Sequence, residues 1–195
     1  VEQLAKDERL RSLSFQNVKV VPFLGTPGAI QSDSWNTTTY SNTLATKVGN
    51  LLHCASYNLS APMYVEGTKE KELIESIDEI AKVLHMAETA DIALIGIGSM
   101  QDDSSIIKAE IRTKEEYKEL VRKGAVGEIV GRIYDKNGQT VDEDLKRKMV
   151  GISLDKIAKI PVRVGMSYGK DKIEAIKGAI AGGLVNVLVT DVPTA

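Results

Sequence analysis

Two charged residues of this chain follow glycines in patterns that are typical of a binding site for a small polar ligand. Glu128 ends the segment 124–128, and a carboxylate beside glycines at the edge of an apolar strand can accept paired hydrogen bonds from sugar hydroxyls. Lys172 follows Gly169 at the first turn of a predicted helix, where an ammonium and the helix amides can bind one anion. The alternative for both residues is an ordinary solvated surface charge.

Two further segments place glycines and hydroxyl groups in similar positions. Gly25, Thr26 and Gly28 follow the first predicted strand, and the two glycines let the backbone approach an anion closely. Gly98 and Ser99 follow a strongly apolar strand, and the Ser99 hydroxyl can donate a hydrogen bond. This is not a dinucleotide-binding fingerprint, since the third glycine is missing and no helix begins directly after it. Loop turns and close packing are the alternatives for these glycines.

The segment 25–39 is rich in Gly, Pro, Ser, Asn and Thr and has neither a helical nor a strand period. Loops of about 15 residues within compact domains are usually functional or disordered. We expect this one to be a ligand loop, in which Trp35 covers the ligand or contacts another subunit.

The composition argues against several other classes of protein. The chain has 25 basic and 27 acidic residues, so no overall positive field favours nucleic acid or anionic lipid. The single Cys54 cannot form an intramolecular disulfide, and no Cys/His cluster has metal-ligand spacing, so we expect a reducing compartment, no metal and no cofactor. His53 and His85 lie in helical patterns without a nucleophile partner, which favours packing over catalysis.

The two ends and the apolar runs indicate a cytoplasmic piece of a longer polypeptide. The N-terminus has no charged and apolar leader, and the longest apolar runs, 92–97 and 184–189, contain about six residues. Roughly 20 apolar residues are needed to span a bilayer, so we expect no membrane contact. The chain begins in a helical pattern without a preceding strand and stops soon after a strand, which predicts truncation at both ends.

Alternating strands and helices must position these candidate residues. The segment 91–98 is apolar without alternation, which predicts a strand buried on both faces and hence a parallel sheet. Thr113 begins a capping box for a helix that ends at 123–124. The other predicted elements are a helix over 1–13, a strand over 18–23, a helix from Ser41 or Asn42 to 57, a short strand over 61–65, a helix over 69–90 broken near Ser76, a strand pair over 126–134 joined at a tight turn over 136–138, a solvated charged face over 142–148, a short helix from Ser153, a strand over 161–165, a helix over 171–181 and a strand over 184–190.

This order predicts one α/β domain over residues 1–195, with an open, mostly parallel, Rossmann-like sheet and helices on both faces. Ligands of such sheets bind outside the carboxyl ends of the strands. All four candidate segments are predicted to lie there.

Five segments, in order, resemble the effector-binding domain of the SorC family of bacterial sugar-responsive transcriptional regulators. The resemblance covers the chain from about residue 15 to its end. The segments are 90–99, 124–135, 150–154, 172–176 and 187–191.

The resemblance implies a fold similar to sugar-phosphate isomerases and deaminases, and a phosphorylated sugar as effector. It implies a homodimer or homotetramer that binds DNA only through a separate N-terminal helix-turn-helix. Neither that helix-turn-helix nor the family's first phosphate-gripping strand-turn is found in this sequence.

The resemblance also assigns ligand contacts to individual residues. Glu128 matches the acidic ligand contact of the family, and Lys172 matches its lysine at the phosphate end. Tyr40 and Asn42 match a loop and helix-cap region near the sugar. Lys108 stands where some relatives carry an arginine contact.

Two loops depart from the family pattern. The loop after the predicted strand over 18–23, which corresponds to the family's second strand, reads Leu24-Gly25-Thr26. In relatives this loop is often a pair of glycines, and some members carry a basic residue at position 24, which this chain lacks. The effector can therefore differ. The double glycine before the lysine becomes Tyr168-Gly169, which places a phenol near the expected phosphate.

The competing hypotheses are an enzyme and an oligomerisation module. Aminosugar deaminases on a similar fold place an acidic residue, glycine and histidine just after the glycine strand, to supply acid–base groups. Here Ser99 is followed by Met-Gln-Asp-Asp, so only Asp102 and Asp103 could act as bases. We therefore expect a sensor without enzymatic activity, with a sugar-phosphate isomerase or deaminase, or a module with a vestigial pocket, as the alternatives.

Overall fold

The computed structural model describes residues 15, 17–27, 41–101, 104–108 and 110–195. The predicted helix over 1–13 and most of the loop 25–39, including Trp35, lie outside these residues. The strands are β1 (Lys19–Val20), β2 (Ala55–Ser56), β3 (Ile92–Gly96), β4 (Gly98–Ser99), β5 (Ala125–Ile129), β6 (Arg132–Asp135), β7 (Val162–Met166) and β8 (Val187–Val189). The helices are Ser41–Leu52, Thr68–Glu75, Asp78–Glu88, Ser105–Lys108, Lys114–Arg122, Glu143–Lys148, Leu154–Ile157 and Ile173–Ala181, and the last is preceded by the 3-10 turn Lys170–Lys172.

The predicted α/β fold with mostly parallel strands is confirmed. One sheet has the strand order β3-β7-β8, and both of its pairings are parallel. β1 and β2 form a second parallel pair. Because parallel neighbours align their carboxyl ends, the loops after β3, β7 and β8 meet at one edge of the sheet.

The two faces of the β3-β7-β8 sheet differ. Ala93 and Ile95 point into the main hydrophobic core, where the helices Asp78–Glu88 and Ile173–Ala181 cover them. Ile92 and Leu94, on the opposite face, are 58% and 55% exposed. The prediction that β3 is buried on both faces is therefore wrong for the described residues, because the described helices that pack against β3 lie on one side of it.

The strands β4, β5 and β6 form a separate antiparallel sheet. The turn that joins β5 to β6 is at Val130 and Gly131, both with positive φ (51° and 66°), which is the geometry of a tight hairpin turn. The predicted joining turn over 136–138 instead follows β6 and reverses the chain, so that Tyr134 and Thr140 form a bridge.

The first described helix is shorter than the predicted one. It ends at Leu52, because His53 adopts a left-handed φ of 50°, and the chain continues into β2 instead of reaching residue 57 in a helix. The segment 61–65 makes isolated bridges through Pro62 and Tyr64 instead of the predicted strand.

Three other predicted features are confirmed. The helix over 69–90 is interrupted at Ser76, whose hydroxyl donates to the Leu73 carbonyl at 2.7 Å. Thr113 caps the next long helix, since its hydroxyl accepts from the Glu116 amide at 3.2 Å and Glu116 accepts from the Thr113 amide at 2.8 Å. The helix that begins after Ser153 also forms.

A second core lies between the antiparallel sheet and the helices Lys114–Arg122 and Glu143–Lys148. The charged run 142–148 is not simply a solvated face, because Asp142 is 6% exposed and accepts from Arg112 Nε at 2.9 Å. Asp142 also caps the helix Glu143–Lys148 by accepting from the Leu145 amide. Among the described residues, no helix combines the length and apolar character that a membrane crossing requires.

Candidate functional site

A cavity of about 920 Å³ opens at the carboxyl ends of the parallel strands β3, β7 and β8. This is the edge where ligands of open α/β sheets bind. Its wall includes Gly98, Glu128, Gly169 and Lys172, which are four of the predicted ligand contacts. The structure therefore brings together residues that lie up to 74 positions apart in the sequence, counting from 98 to 172.

Glu128 lies on β5, next to β4, and its side chain lines the cavity. Antiparallel pairing places Glu128 opposite Gly98, and a Cβ added at Gly98 would lie 2.7 Å from Glu128 Cγ. A contact this short is not compatible with any side chain at position 98 unless Glu128 moves. Gly98 is thus needed for close packing, which was one of the two interpretations of this glycine, and the feature that it packs against is the Glu128 side chain.

The Glu128 carboxylate is 9% exposed and is held by two hydroxyl groups. Ser104 Oγ donates to its Oε2 at 2.7 Å, and the Tyr117 hydroxyl donates to the same oxygen at 3.3 Å. Burial, together with the negative charge of Glu128, raises the pKa of the neighbouring Tyr134. Glu128 is therefore a buried carboxylate in a fixed orientation, and not a solvated strand-edge charge.

Lys172 contacts Ser99, the residue of β4 that follows Gly98. Its Nζ donates to Ser99 Oγ at 2.8 Å and lies 3.2 Å from Asp171 Oδ2. Ser99 in turn donates to that Asp171 oxygen at 3.2 Å. The hydrogen bond with Lys172 lowers the pKa of Asp171, which keeps this carboxylate charged. Lys172 is thus partly covered and held in place, and is not a solvated surface lysine.

The loop before the Lys170–Lys172 turn is held by the end of the chain. Gly169 has a φ of 103°, a conformation that favours glycine, and its amide donates to Thr194 Oγ1 at 2.8 Å. The Asp191 carboxylate also accepts from this amide, at 3.4 Å. Tyr168, which replaces a glycine of the family pattern, lines the rim of the cavity and is 77% exposed.

The residues around Thr26 and Asn42 form a separate cluster that does not line this cavity. Asn42 Nδ2 donates to Thr26 Oγ1 at 2.8 Å, and its Oδ1 accepts from the Leu59 amide at 2.9 Å. Ser41 and Asn42, the two candidates for the N-cap of this helix, both lie inside the helix Ser41–Leu52, so neither caps it. Gly25 lies against the Pro62 carbonyl, which a Cβ would meet at 2.4 Å, so packing explains this glycine.

The remaining predicted contacts are not placed at the cavity. Lys108 is exposed at the end of the short helix Ser105–Lys108 and is not part of the cavity wall. Gly28 and Tyr40 lie outside the described residues, as do Asp102 and Asp103.

Four residues of the site were not identified from the sequence. Ser104, Tyr117, Asp171 and Asp191 hold the two charged ends in place. Only Tyr117 carried a usable signal, because a tyrosine on the apolar face of a capped helix needs a partner for its hydroxyl once it is buried. The others depend on contacts between segments far apart in the chain.

No group of three or more His, Cys, Asp or Glu side chains among the described residues is arranged to hold a metal ion. The chemistry available at the cavity is therefore hydrogen bonding to a buried carboxylate at one end and ion pairing with a lysine at the other. Both histidines of the chain, His53 and His85, are exposed and do not line the cavity.

Residues 4–195 match the family model described as "Putative sugar-binding domain". Among curated proteins, the chain is 35% identical over 154 residues to the transcriptional regulator LsrR of Escherichia coli O9:H4 (strain HS), which covers 77% of this chain and 49% of that protein. It is 33% identical over 145 residues to LsrR of Enterobacter sp. (strain 638), covering 73% of this chain and 45% of that protein. The chain thus spans about half the length of these relatives.

Solved structures give the same result for the fold. The full-length sorbitol operon regulator SorC of Klebsiella pneumoniae superposes with a TM-score of 0.82 and 27% identity, over 94% of this chain and 58% of that chain. A DeoR family transcriptional regulator of Listeria monocytogenes superposes with a TM-score of 0.81 and 24% identity, over 99% of this chain and 80% of that chain.

Proposed function

The chain belongs to the family of sugar-binding domains that SorC-type transcriptional regulators carry, and we propose that it is an effector-binding domain that senses a phosphorylated sugar. The observation that carries this proposal is that Glu128 lies opposite Gly98 and Lys172 contacts Ser99, the two residues of β4, so that both charged groups line one cavity. Such a regulator would control genes of carbohydrate metabolism in the bacterial cytoplasm.

Glu128 supports the sugar part of this proposal. A carboxylate accepts hydrogen bonds from hydroxyl groups, and those bonds are stronger when the acceptor is charged and shielded from water. Ser104 and Tyr117 fix the carboxylate before a ligand arrives, so little side-chain entropy is lost on binding. A polyhydroxylated ligand matches such an acceptor better than an apolar one.

Lys172 supports the phosphate part. An ammonium is a common partner of phosphate, which carries a charge of about −1.5 to −2 near pH 7. Lys172 belongs to the first turn of a helical segment whose preceding residue, Gly169, lets the backbone come close to a ligand. A sugar phosphate would then place its hydroxyls at Glu128 and its phosphoryl group at Lys172.

We infer a sensor and not an enzyme, because the relatives are transcriptional regulators and no histidine of the described residues lines the cavity. Neither His53 nor His85 lines it, and Glu128, its buried carboxylate, is held by two hydroxyl donors. Isomerases and deaminases of sugars need groups that move protons during ring opening.

In the regulator that we propose, DNA binding belongs to a separate N-terminal domain, and the assembly is a homodimer or a homotetramer. Effector binding then has to favour one arrangement of that assembly, since a ligand with equal affinity for both arrangements shifts neither.

Thermal unfolding with matched ligands tests this function. The purified chain is heated with fructose 6-phosphate, with other sugar phosphates, and with the same sugars lacking phosphate, while NMR of each mixture records any product. We expect at least one phosphorylated sugar to raise the melting temperature, its unphosphorylated form to raise it less, and no product to form.

The control pair is Lys172→Met and Lys170→Met, because Lys170 is an exposed neighbour that does not line the cavity. The first substitution should remove the preference for phosphorylated sugars, and the second should leave it intact. Turnover at a useful rate would refute the sensor, and a shift that ignores Lys172 would refute the phosphate end.

A further inference from the structure

The anion end of the proposed sugar-phosphate site already contains an anion that belongs to the chain. Asp171 Oδ2 lies 3.2 Å from Lys172 Nζ and accepts from the Ser99 hydroxyl at 3.2 Å. Lys172 also donates to Ser99 at 2.8 Å, so the three side chains form a closed triangle. Two of the three N–H donors of the ammonium and the hydroxyl hydrogen of Ser99 are thus engaged within this triangle.

This geometry is unusual for consecutive residues. Side chains of neighbouring positions on a helix normally point in different directions. Here the tight Lys170–Lys172 turn directs Asp171 and Lys172 to the same serine on β4. The other oxygen, Asp171 Oδ1, lies over Gly169, where a Cβ would meet it at 2.7 Å. The Asp171 carboxylate thus sits at the glycine turn where the phosphoryl group of the ligand is expected.

The charges around the cavity make this arrangement consequential. Its described wall includes three carboxylates, those of Glu128, Asp171 and Asp191, and one ammonium, that of Lys172. An incoming anion therefore meets net negative charge, and the one ammonium is paired with Asp171. When the Asp171 side chain rotates away from Lys172, the ammonium can pair with the ligand anion instead of with Asp171.

Asp171 is able to turn away at low cost. Its side chain is 50% exposed, so the carboxylate regains water when it leaves Lys172. Lys172, at 26% exposed, is the more enclosed partner and keeps its place against Ser99.

We propose that Asp171 is an internal competitor that lowers the affinity of this site for any anion that binds Lys172. The inference rests on the proposed sugar-phosphate function. Every ligand anion has to displace Asp171 at the same cost, so a ligand binds appreciably only if it gains more than this cost at Lys172. A phosphoryl group brings more charge and more acceptor oxygens than a single carboxylate, so it can displace Asp171 with a net gain. At a given concentration the site therefore holds phosphorylated sugars and stays largely free of sugar acids that carry only a carboxylate.

Titration of the intact chain with inorganic phosphate and with acetate, followed by NMR, tests the proposal. Asp171→Asn keeps the shape of the side chain and removes its charge. We expect it to bind phosphate and acetate each about three- to tenfold more tightly than the wild type, because the same displacement cost is removed for both anions.

Three variants control this result. Asp155→Asn removes one exposed negative charge away from the cavity and should change neither affinity. Lys172→Met should weaken phosphate binding, and Asp171→Asn in the Lys172→Met background should gain nothing, because the competition is for that lysine. Melting temperatures of all variants check that each is folded.

Two results would overturn the inference and they differ. If Lys172→Met weakens phosphate binding but Asp171→Asn binds no more tightly than the wild type, Asp171 is not a competitor, while the proposed function stands. If Lys172→Met leaves phosphate affinity unchanged, the anion end of the proposed function fails, and the role of Asp171 fails with it.

Discussion

The Glu128 end and the Lys172 end of the cavity meet β4 at adjacent residues, yet they are built differently. Glu128 is 9% exposed and is held by Ser104 and Tyr117, which both donate to one of its oxygens. Lys172 is more exposed and is paired with Asp171, a group of the same charge as the expected ligand. The Glu128 carboxylate is oriented before a ligand binds, whereas Lys172 has to separate from Asp171 when the proposed ligand binds.

We infer that the two ends contribute unequally to ligand affinity. A fixed and buried acceptor contributes affinity, because its hydrogen bonds are strong and its orientation is already set. A lysine that is paired with an internal anion contributes less affinity, because every ligand anion first has to displace that anion. Substitutions at the Glu128 end should therefore have the larger effects on affinity.

The largest effect is expected from Glu128→Gln. The amide has nearly the same shape, but it loses the charge and one acceptor, so sugar-phosphate affinity should fall by about 10- to 100-fold. Isothermal titration with the sugar phosphate that stabilises the wild type measures the change. Glu119→Gln, an exposed position on the helix Lys114–Arg122, is the matched control. An affinity within twofold of the wild type would remove Glu128 from the site.

Gly98→Ala should come next. The added Cβ would lie 2.7 Å from Glu128 Cγ, so the carboxylate has to move, and we expect roughly tenfold weaker binding with a stability loss of about 1–3 kcal/mol. Gly96→Ala is the control for stability only, since its Cβ would meet nothing within 4 Å but Gly96 also lines the cavity. Urea unfolding compares the stability of both variants, and calorimetry compares the affinity of Gly98→Ala with that of the wild type. Unchanged binding in Gly98→Ala would show that the position of Glu128 does not matter.

A smaller effect is expected when the donors to Glu128 are removed one at a time. Ser104→Ala loses the 2.7 Å bond and Tyr117→Phe loses the 3.3 Å bond, so the serine variant should bind more weakly than the tyrosine variant, by about threefold. Affinities of both variants for the same sugar phosphate test this order. The reverse order would mean that the buried tyrosine, and not the serine, orients the carboxylate.

The smallest effect concerns the pH dependence of the apo chain. The hydrogen bond with Lys172 lowers the pKa of Asp171 below its ordinary value of 3.8. A carboxyl group with a lowered pKa stabilises the folded state above that ordinary value, and the stabilisation is lost as the pH falls through the lowered one.

The difference in free energy of unfolding between the wild type and Asp171→Asn should therefore be constant from pH 7 to about pH 5 and shrink below pH 4. Taking the difference cancels the contributions that groups other than Asp171 make equally to both proteins. Urea unfolding at each pH measures it. A difference that grows on acidification would contradict the Asp171–Lys172 pairing.

The two charged residues of these ends could be predicted from the sequence, but the partner of Lys172 could not. Glu128 and Lys172 were identified because each lies beside glycines at the end of a predicted element, and such positions converge in an α/β sheet. Asp171 was overlooked, because the sequence contains no information on whether two adjacent charged side chains point to the same partner. That depends on the tight turn after Gly169 and on the distant Ser99.

Some features of the fold could likewise be predicted from the sequence, and others could not. The strands β3, β7 and β8, the interruption at Ser76 and the cap at Thr113 follow from local rules of hydrogen bonding and periodicity, and the sequence alone was sufficient for them. The end of the first described helix at Leu52 and the exposed face of β3 were not predictable. They depend on a left-handed residue at His53 and on which face the described helices cover.

An α/β domain, and a carboxylate and a lysine beside glycines at the ends of its elements, could be predicted from the sequence alone, since those features are local in the chain. The partners of these two groups became known only from the tertiary structure. Strand pairing places Glu128 opposite Gly98, and side-chain hydrogen bonds join Ser99 to both Lys172 and Asp171, and these contacts connect segments between 30 and 73 residues apart. Local physics specifies elements, whereas the partners of a buried charge are specified by the packing of those elements against one another.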